Sequence, residues 1–183
     1  MINLATRAPI TYVGKISVFN SASAMFYAPS DLCGIGGMWH KYIHTCPNWR
    51  NEGPRRDCAF VVTNPEFPGF RGMDVTRALS FFSFSFLDQL YPCAVVHWFD
   101  HVSDVPDEAI GMWVVKPSVT AARQPKIAVI HVESIFRSVH LIPVYTVAAP
   151  FLSQGIRPND SYNQFCLFYV NKYADHHAFA TAF

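Results

Sequence analysis

Apolar positions along this chain recur mostly at period two, the spacing of strands with one buried face. The longest such run is 75–86. Val75, Arg77, Leu79 and Phe81 alternate, and then Phe82, Phe84 and Phe86 continue on the other parity between Ser83 and Ser85. That switch at Phe81–Phe82 predicts a bulge or a bend. Asp88–Gln89 predicts a tight turn, and 91–99 returns as the partner strand, so the two runs read as one long hairpin. The unbroken apolar stretch Cys58-Ala-Phe-Val-Val62 predicts a buried strand. Further strands are expected at 111–115, 126–132 and 140–145, with Pro143 placing the last at an edge or a bulge. Segments 12–19 and 24–28 add strand-type residues. Loops are expected at 64–69 and over the acidic stretch 100–108, and a single 3₁₀ turn at 133–138.

Two stretches depart from period two. Residues 29–54 are rich in turn formers, including Pro29-Ser-Asp31, Gly34-Ile-Gly-Gly37, Cys46-Pro-Asn48 and Asn51-Glu-Gly-Pro54. They predict an irregular arm with one short helical turn around 38–43. Near the C-terminus, Tyr162, Phe165, Cys166, Tyr169 and Tyr173 recur at three- and four-residue intervals. That spacing predicts an amphipathic helix of roughly four to five turns. Asn159, Asp160 and Ser161 are its candidate N-caps. Lys172, His176 and His177 then fall toward its C-terminal end, where cations suit the helix dipole. The sum is a mainly β fold with a C-terminal helix, a small barrel or sandwich. It divides into an N-terminal arm (1–56), a barrel core (57–148), and a loop with a helix packed on the barrel (149–183).

Composition narrows the function classes. Hydrophobic residues are 51% of the chain and charged residues 15%, which excludes a disordered tail. Fourteen Lys and Arg against thirteen Asp and Glu leave +1, so any polyanion contact must come from a local cluster. No run of apolar residues is long enough for a membrane helix, and the N-terminus lacks a basic start followed by an apolar run. The expected setting is intracellular. Five cysteines, an odd number with no CxxC, disfavour a disulfide scaffold or a zinc ribbon.

Several constellations could carry chemistry. Lys41, Arg50, Arg55 and Arg56 interleave with Trp39, Tyr42 and Trp49, a basic–aromatic arm suited to a nucleic-acid backbone. Its alternative is a solvated loop that staples tryptophans onto the barrel. Tyr91, Trp98 and Trp113 are candidates for an aromatic ligand site, a cage for a methylammonium group, against plain core packing. His97, Asp100 and His101 close the hairpin. Strand spacing puts both imidazoles on one face, the basis for an alternative reading as a metal-dependent enzyme. His40 and His44, near Cys46, have i, i+4 spacing, but Lys41 stands where a zincin motif needs Glu. No nucleophile elbow, phosphate-binding glycine loop or set of catalytic carboxylates is evident. Neither a catalytic residue nor a cofactor is assigned.

Some segments are familiar as a set: Phe26-Tyr-Ala-Pro-Ser-Asp31 with Gly36-Gly-Met38; Arg56-Asp-Cys58; Gly69-Phe-Arg-Gly-Met73; Tyr91-Pro-Cys-Ala-Val-Val-His-Trp-Phe99; Gly111-Met-Trp-Val-Val115; His140-Leu-Ile-Pro-Val-Tyr145; and Tyr169-Val-Asn-Lys-Tyr-Ala-Asp-His-His177. From about residue 15 onward the chain resembles the C-terminal region of Plavaka-like and KDZ-like transposon-encoded proteins of mushroom-forming fungi. A looser likeness is to BAH domains, chromatin-associated barrels. There a strand like Val95–Phe99 precedes one like Met112–Val115, and a segment like Val132–Ile135 precedes a final strand. The resemblance implies a BAH/SH3-like barrel serving as a non-catalytic end-piece. Its implied partners are chromatin proteins, the rest of a transposase, or DNA through the arm, in the nucleus. A separate short gene product or a degenerate remnant is a further expectation.

Overall fold

A computed structural model describes residues 11–28, 35–145 and 160–182. The chain is mainly β, with a nearly closed, barrel-like sheet and a short C-terminal helix. The first strands are β1 (Ile16–Phe19), β2 (Ser21–Tyr27), β3 (Met38–Cys46), β4 (Arg55–Arg56) and β5 (Cys58–Val62). The hairpin follows as β6 (Met73–Phe86) and β7 (Gln89–His101). Then come β8 (Val114–Pro117), β9 (Ile127–His131), β10 (Ile135–Val139) and β11 (Leu141–Pro143). The chain ends with α1 (Ser161–Gln164), β12 (Phe168–Val170) and α2 (His176–Ala182).

The large sheet runs β10-β5-β6-β7-β8-β12-β11, with β1 added to β6 and β9 to β7. Its ends are joined covalently. β10 and β11 are separated only by His140; β10 pairs with β5 and β11 with β12. One run of chain therefore lies against both edges and brings the sheet round on itself. Inside sit Phe60, Val75, Phe99, Trp113, Val115, Phe168 and Val170, all buried. A second, smaller sheet, β2-β3-β4, covers part of the outer surface. Between the layers lie Ala24, Ile43, Ala59, Ala78, Phe81, Ala94 and Val96. β5 faces both cores, Cys58 and Phe60 inward and Ala59 outward, which is why its sequence is continuously apolar.

The hairpin matches the alternation. Its turn is at Leu87–Asp88, one residue earlier than expected, where both residues have positive φ (50° and 59°), as a type I′ connection needs. The parity switch is produced by a register shift between Ala78 and Ser80, upstream of Phe81–Phe82. The extra residue there turns Phe81 onto the outer core.

Three local expectations are corrected. The helical turn at 38–43 is β3, held by β2 from Tyr27↔Met38 to Ser21↔His44. Ile43 and Thr45 point into the protein while Tyr42 is exposed, so period two prevails once a partner strand is present. The 3₁₀ turn expected at 133–138 occupies Val132–Ser134, and Ile135 onward is strand. The long C-terminal helix is absent. α1 is one turn, β12 inserts between β8 and β11, and α2 begins at His176. Phe168 and Val170 enter the barrel core at period two, and their burial outweighs the helical spacing of the tyrosines. His176 and His177 thus open a helix instead of ending one. Asp160 precedes α1 without a side-chain cap bond, and Asn159 lies outside the described residues. Asp175 caps α2, its Oδ1 accepting the Ala178 N–H at 2.7 Å. Parts of the 29–54 arm also fall outside the described residues.

Candidate functional site

The loop between β3 and β4 carries most of the basic–aromatic arm. Trp49 N–H donates to the Gly53 carbonyl at 2.7 Å, closing a turn in which Arg50 and Asn51 have positive φ. Arg55 then pairs with Cys46 and Arg56 with Thr45 as β4 begins. Asp57 anchors the loop base. It accepts from Arg55 Nε at 2.9 Å and Nη2 at 3.2 Å, and from both the backbone N–H and Nδ1–H of His44 at 2.9 Å. Trp49 is enclosed by its neighbours. The Arg55 guanidinium lies 4.6 Å from its ring centre, Arg50 lies at 5.6 Å, and the His44 ring meets it at 4.9 Å.

Below this loop the barrel presents Arg77, from β6, and Tyr162, from α1. Arg77 is 6% exposed. Its Nη1 donates to Asn163 Oδ1 at 3.0 Å, its guanidinium lies 4.9 Å from the Tyr162 ring centre, and its buried Nε has no hydrogen-bond partner among the described residues. No carboxylate among the described residues forms an ion pair with it. A buried cation without an ion-pair partner is costly unless something else compensates it. Burial lowers the Arg77 pKa, and the nearby Arg56 charge lowers it further. Beside it, burial pushes the Cys58 thiol up to about 12, which keeps it neutral and inert. Burial and the neighbouring Cys58 likewise raise the Tyr162 hydroxyl.

Loop and barrel enclose a cleft of about 610 Å³, lined by Trp49, Asn51, Arg55, Arg56, Arg77 and Tyr162 and by the carboxylates of Glu52 and Asp57. A neighbouring cleft of about 530 Å³ shares Arg55, Asp57 and Tyr162 and extends to Lys41, Arg137 and Asp175. In that second space the cations are compensated, because Lys41 and Arg137 both bond Asp175.

The structure therefore sorts the predicted residues. Arg55 and Arg56 converge on one cleft and Arg50 lies over its Trp49 wall. Lys41 is drawn away to Asp175 by its position on the inward side of β3. Arg77 and Tyr162 were not foreseen as site residues. The signal for Arg77 was an arginine at an inward position of an alternating strand, between Val75 and Leu79.

Tyr91, Trp98 and Trp113 occupy different places. Trp113 is inside the barrel, 5% exposed, against Phe70 at 5.1 Å. Trp98 packs on the outer core, and Tyr91 stacks on Phe84 toward the hairpin tip at 5.3 Å. Alternation along β7 sends Trp98 to the face opposite Phe99, so a shared cage does not form. His97, Asp100 and His101 are also separated in role. His97 Nε2 bonds the Ser118 carbonyl at 2.9 Å, and Asp100 sits opposite Lys116 across β7 and β8. His101 stacks on Phe70 at 4.5 Å, with Nε2 3.5 Å from Asp74 Oδ1, too long and poorly aligned to bond. Among the described residues no group of three or more His, Cys, Asp or Glu side chains is placed to hold a metal ion. His97, Asp100 and His101 thus each make separate contacts. No helix among the described residues is long and apolar enough to cross a membrane. Comparison with known proteins finds no matching family model, no matching curated protein and no matching solved structure.

Proposed function

We propose that the chain is a non-catalytic binding module that takes nucleic-acid phosphate in the cleft between the β3–β4 loop and the barrel. The observation that carries this reading is Arg77, a buried guanidinium with no ion-pair partner among the described residues, beside exposed Arg56. An anionic ligand supplies the compensation that the fold omits. Arginine suits this role because its planar fork matches phosphate oxygens. With a net charge of only +1, binding depends on this cluster and not on the field of the whole protein. The resemblance to fungal transposon-encoded proteins extends the proposal: a DNA- or chromatin-associated end-piece working with other proteins in the nucleus.

The test is fluorescence anisotropy of labelled DNA across a salt series. Wild-type affinity is expected to fall with salt. Arg50→Ala with Arg56→Ala should weaken binding and flatten the log–log slope by about 0.9 for each phosphate that the variant no longer neutralises. Unchanged affinity and slope in that variant would overturn the assignment.

A further inference from the structure

We infer that the outer face of the β2–β3 pair is a stacking platform for the bases of a single nucleic-acid strand. This rests on the nucleic-acid reading above and adds where the bases go and which form of nucleic acid is taken.

The register fixes what this face carries. Ser21, Ser23, Met25 and Tyr27 on β2 lie opposite His44, Tyr42, His40 and Met38 on β3. By alternation they face away from Ala24 and Ile43, which pack between the two sheets. Met25 is 70% exposed, Tyr27 62% and Tyr42 57%. Ile43 and Thr45 supply the core side of β3, so the fold does not call on the Tyr42 ring.

Two features select a single strand as the occupant. The first is the spacing of the rings. Along β3 His40 meets Tyr42 at 5.7 Å between ring centres, Tyr42 meets His44 at 6.2 Å, and His44 meets Trp49 of the loop at 4.9 Å. Bases within a duplex repeat at about 3.4 Å, so this row fits the splayed bases of an extended strand and not a stacked helix. Met25 and Tyr27 on β2 widen the row into an apolar bed. The second is charge. None of the outward positions on β2 and β3 named above is Asp or Glu. Asp57 meets the row at His44, and its oxygens accept from His44 and Arg55. Exposed Arg50 lies 5.6 Å from the Trp49 ring centre, a cation at the end of the row. Rings in series beside a cation are the combination that holds single strands, with bases on the rings and phosphates at the cation.

The experiment measures anisotropy of three labelled probes: a short single-stranded oligothymidylate, an abasic strand of the same length, and the oligothymidylate paired with oligoadenylate. The abasic strand keeps the phosphates and lacks the bases. The oligothymidylate is expected to bind about tenfold or more tightly than the abasic strand, the scale of one stacked base, and more tightly than the duplex. Tyr42→Ala should remove about that factor for the oligothymidylate and leave the abasic strand unaffected, with thermal unfolding unchanged. Tyr42→Phe should retain it, and Met25→Glu, which sets a carboxylate on the face, should reduce it. Equal binding of the base-bearing and abasic strands overturns this inference and leaves the phosphate reading standing. A preference for bases that survives Tyr42→Ala also overturns it, because the stacking then lies elsewhere. Loss in Tyr42→Ala with no effect of Arg50→Ala and Arg56→Ala supports the platform and removes the cleft as the phosphate site. No binding of any probe at low salt overturns both readings, and self-association abolished by Tyr42→Ala would then assign the face to a second copy of the chain.

Discussion

Arg77 and Arg137 are both buried guanidiniums, and the chain treats them differently. Arg137, 2% exposed, donates to Asp175 Oδ2 at 2.6 Å and to His177 Nδ1 at 2.8 Å, and it lies 4.7 Å from the Phe26 ring centre. Burial alone would raise the Asp175 carboxyl. Hydrogen bonds from Arg137, Lys41 and the Ala178 N–H outweigh it and hold the group well below the usual carboxylate range. Removing that carboxylate strands a buried charge, so Asp175→Ala is expected to cost about 3–5 kcal/mol in urea denaturation. Among the described residues Arg77 has no such partner to lose. Arg77→Met, apolar and of similar length, is expected within about 1 kcal/mol of wild type or above it. A loss as large as that of Asp175→Ala would show that Arg77 is compensated after all. Thiol chemistry offers a check on the same region. Exposed Cys166 should react with a disulfide reagent in the native protein. Cys58, pushed up to about 12 and buried, should react only at the rate of unfolding.

At the scale of elements, α2 is held less by its own propensity than by its docking. It has seven residues, too few to be stable alone. Its attachment runs through Asp175 and His177, the latter stacked on Phe26 of β2 at 4.8 Å. Burial, and then the Arg137 charge, lowers the His177 pKa below its ordinary value. A group with a lowered folded pKa binds fewer protons folded than unfolded. Its stabilisation is complete above the unfolded value, about 6.5, and is lost as pH falls through the folded one. Asp175 acts in the same direction further into acid, below the ordinary carboxylate range. The melting temperature should therefore fall between pH 7 and pH 5. His177→Asn, which keeps an acceptor for Arg137 without titrating, should flatten that step when the two pH–stability curves are compared. An unaltered step in the variant would place the titration elsewhere.

For the whole molecule, barrel closure rests on a three-residue strand. β12 joins β8 to β11, and its Phe168 is fully buried against Phe99 and Tyr162 at ring distances of 5.9 and 5.4 Å. Phe168→Ala should cost about 3–5 kcal/mol by denaturant unfolding. It should also loosen Tyr162, and with it the floor of the binding cleft. β12 was hidden in the sequence because Phe168, Tyr169 and Val170 sit within a tyrosine pattern that also fits helical spacing. β3 was hidden because turn residues surround it and only its pairing with β2 extends it. The arginines at 50, 55 and 56 were legible as a cluster, since they lie close together in sequence. Arg77 joins them from 21 positions beyond Arg56, across a register set by β5 and β6. By itself the sequence determined the mainly β character, the buried strand at Cys58–Val62 and the long hairpin, because alternation is a property each strand carries locally. Only the tertiary structure decided which strand closes the barrel, where Trp113 and the histidines point, and which arginines find a carboxylate. Those outcomes depend on pairing between distant segments, and burial there outweighs local preference.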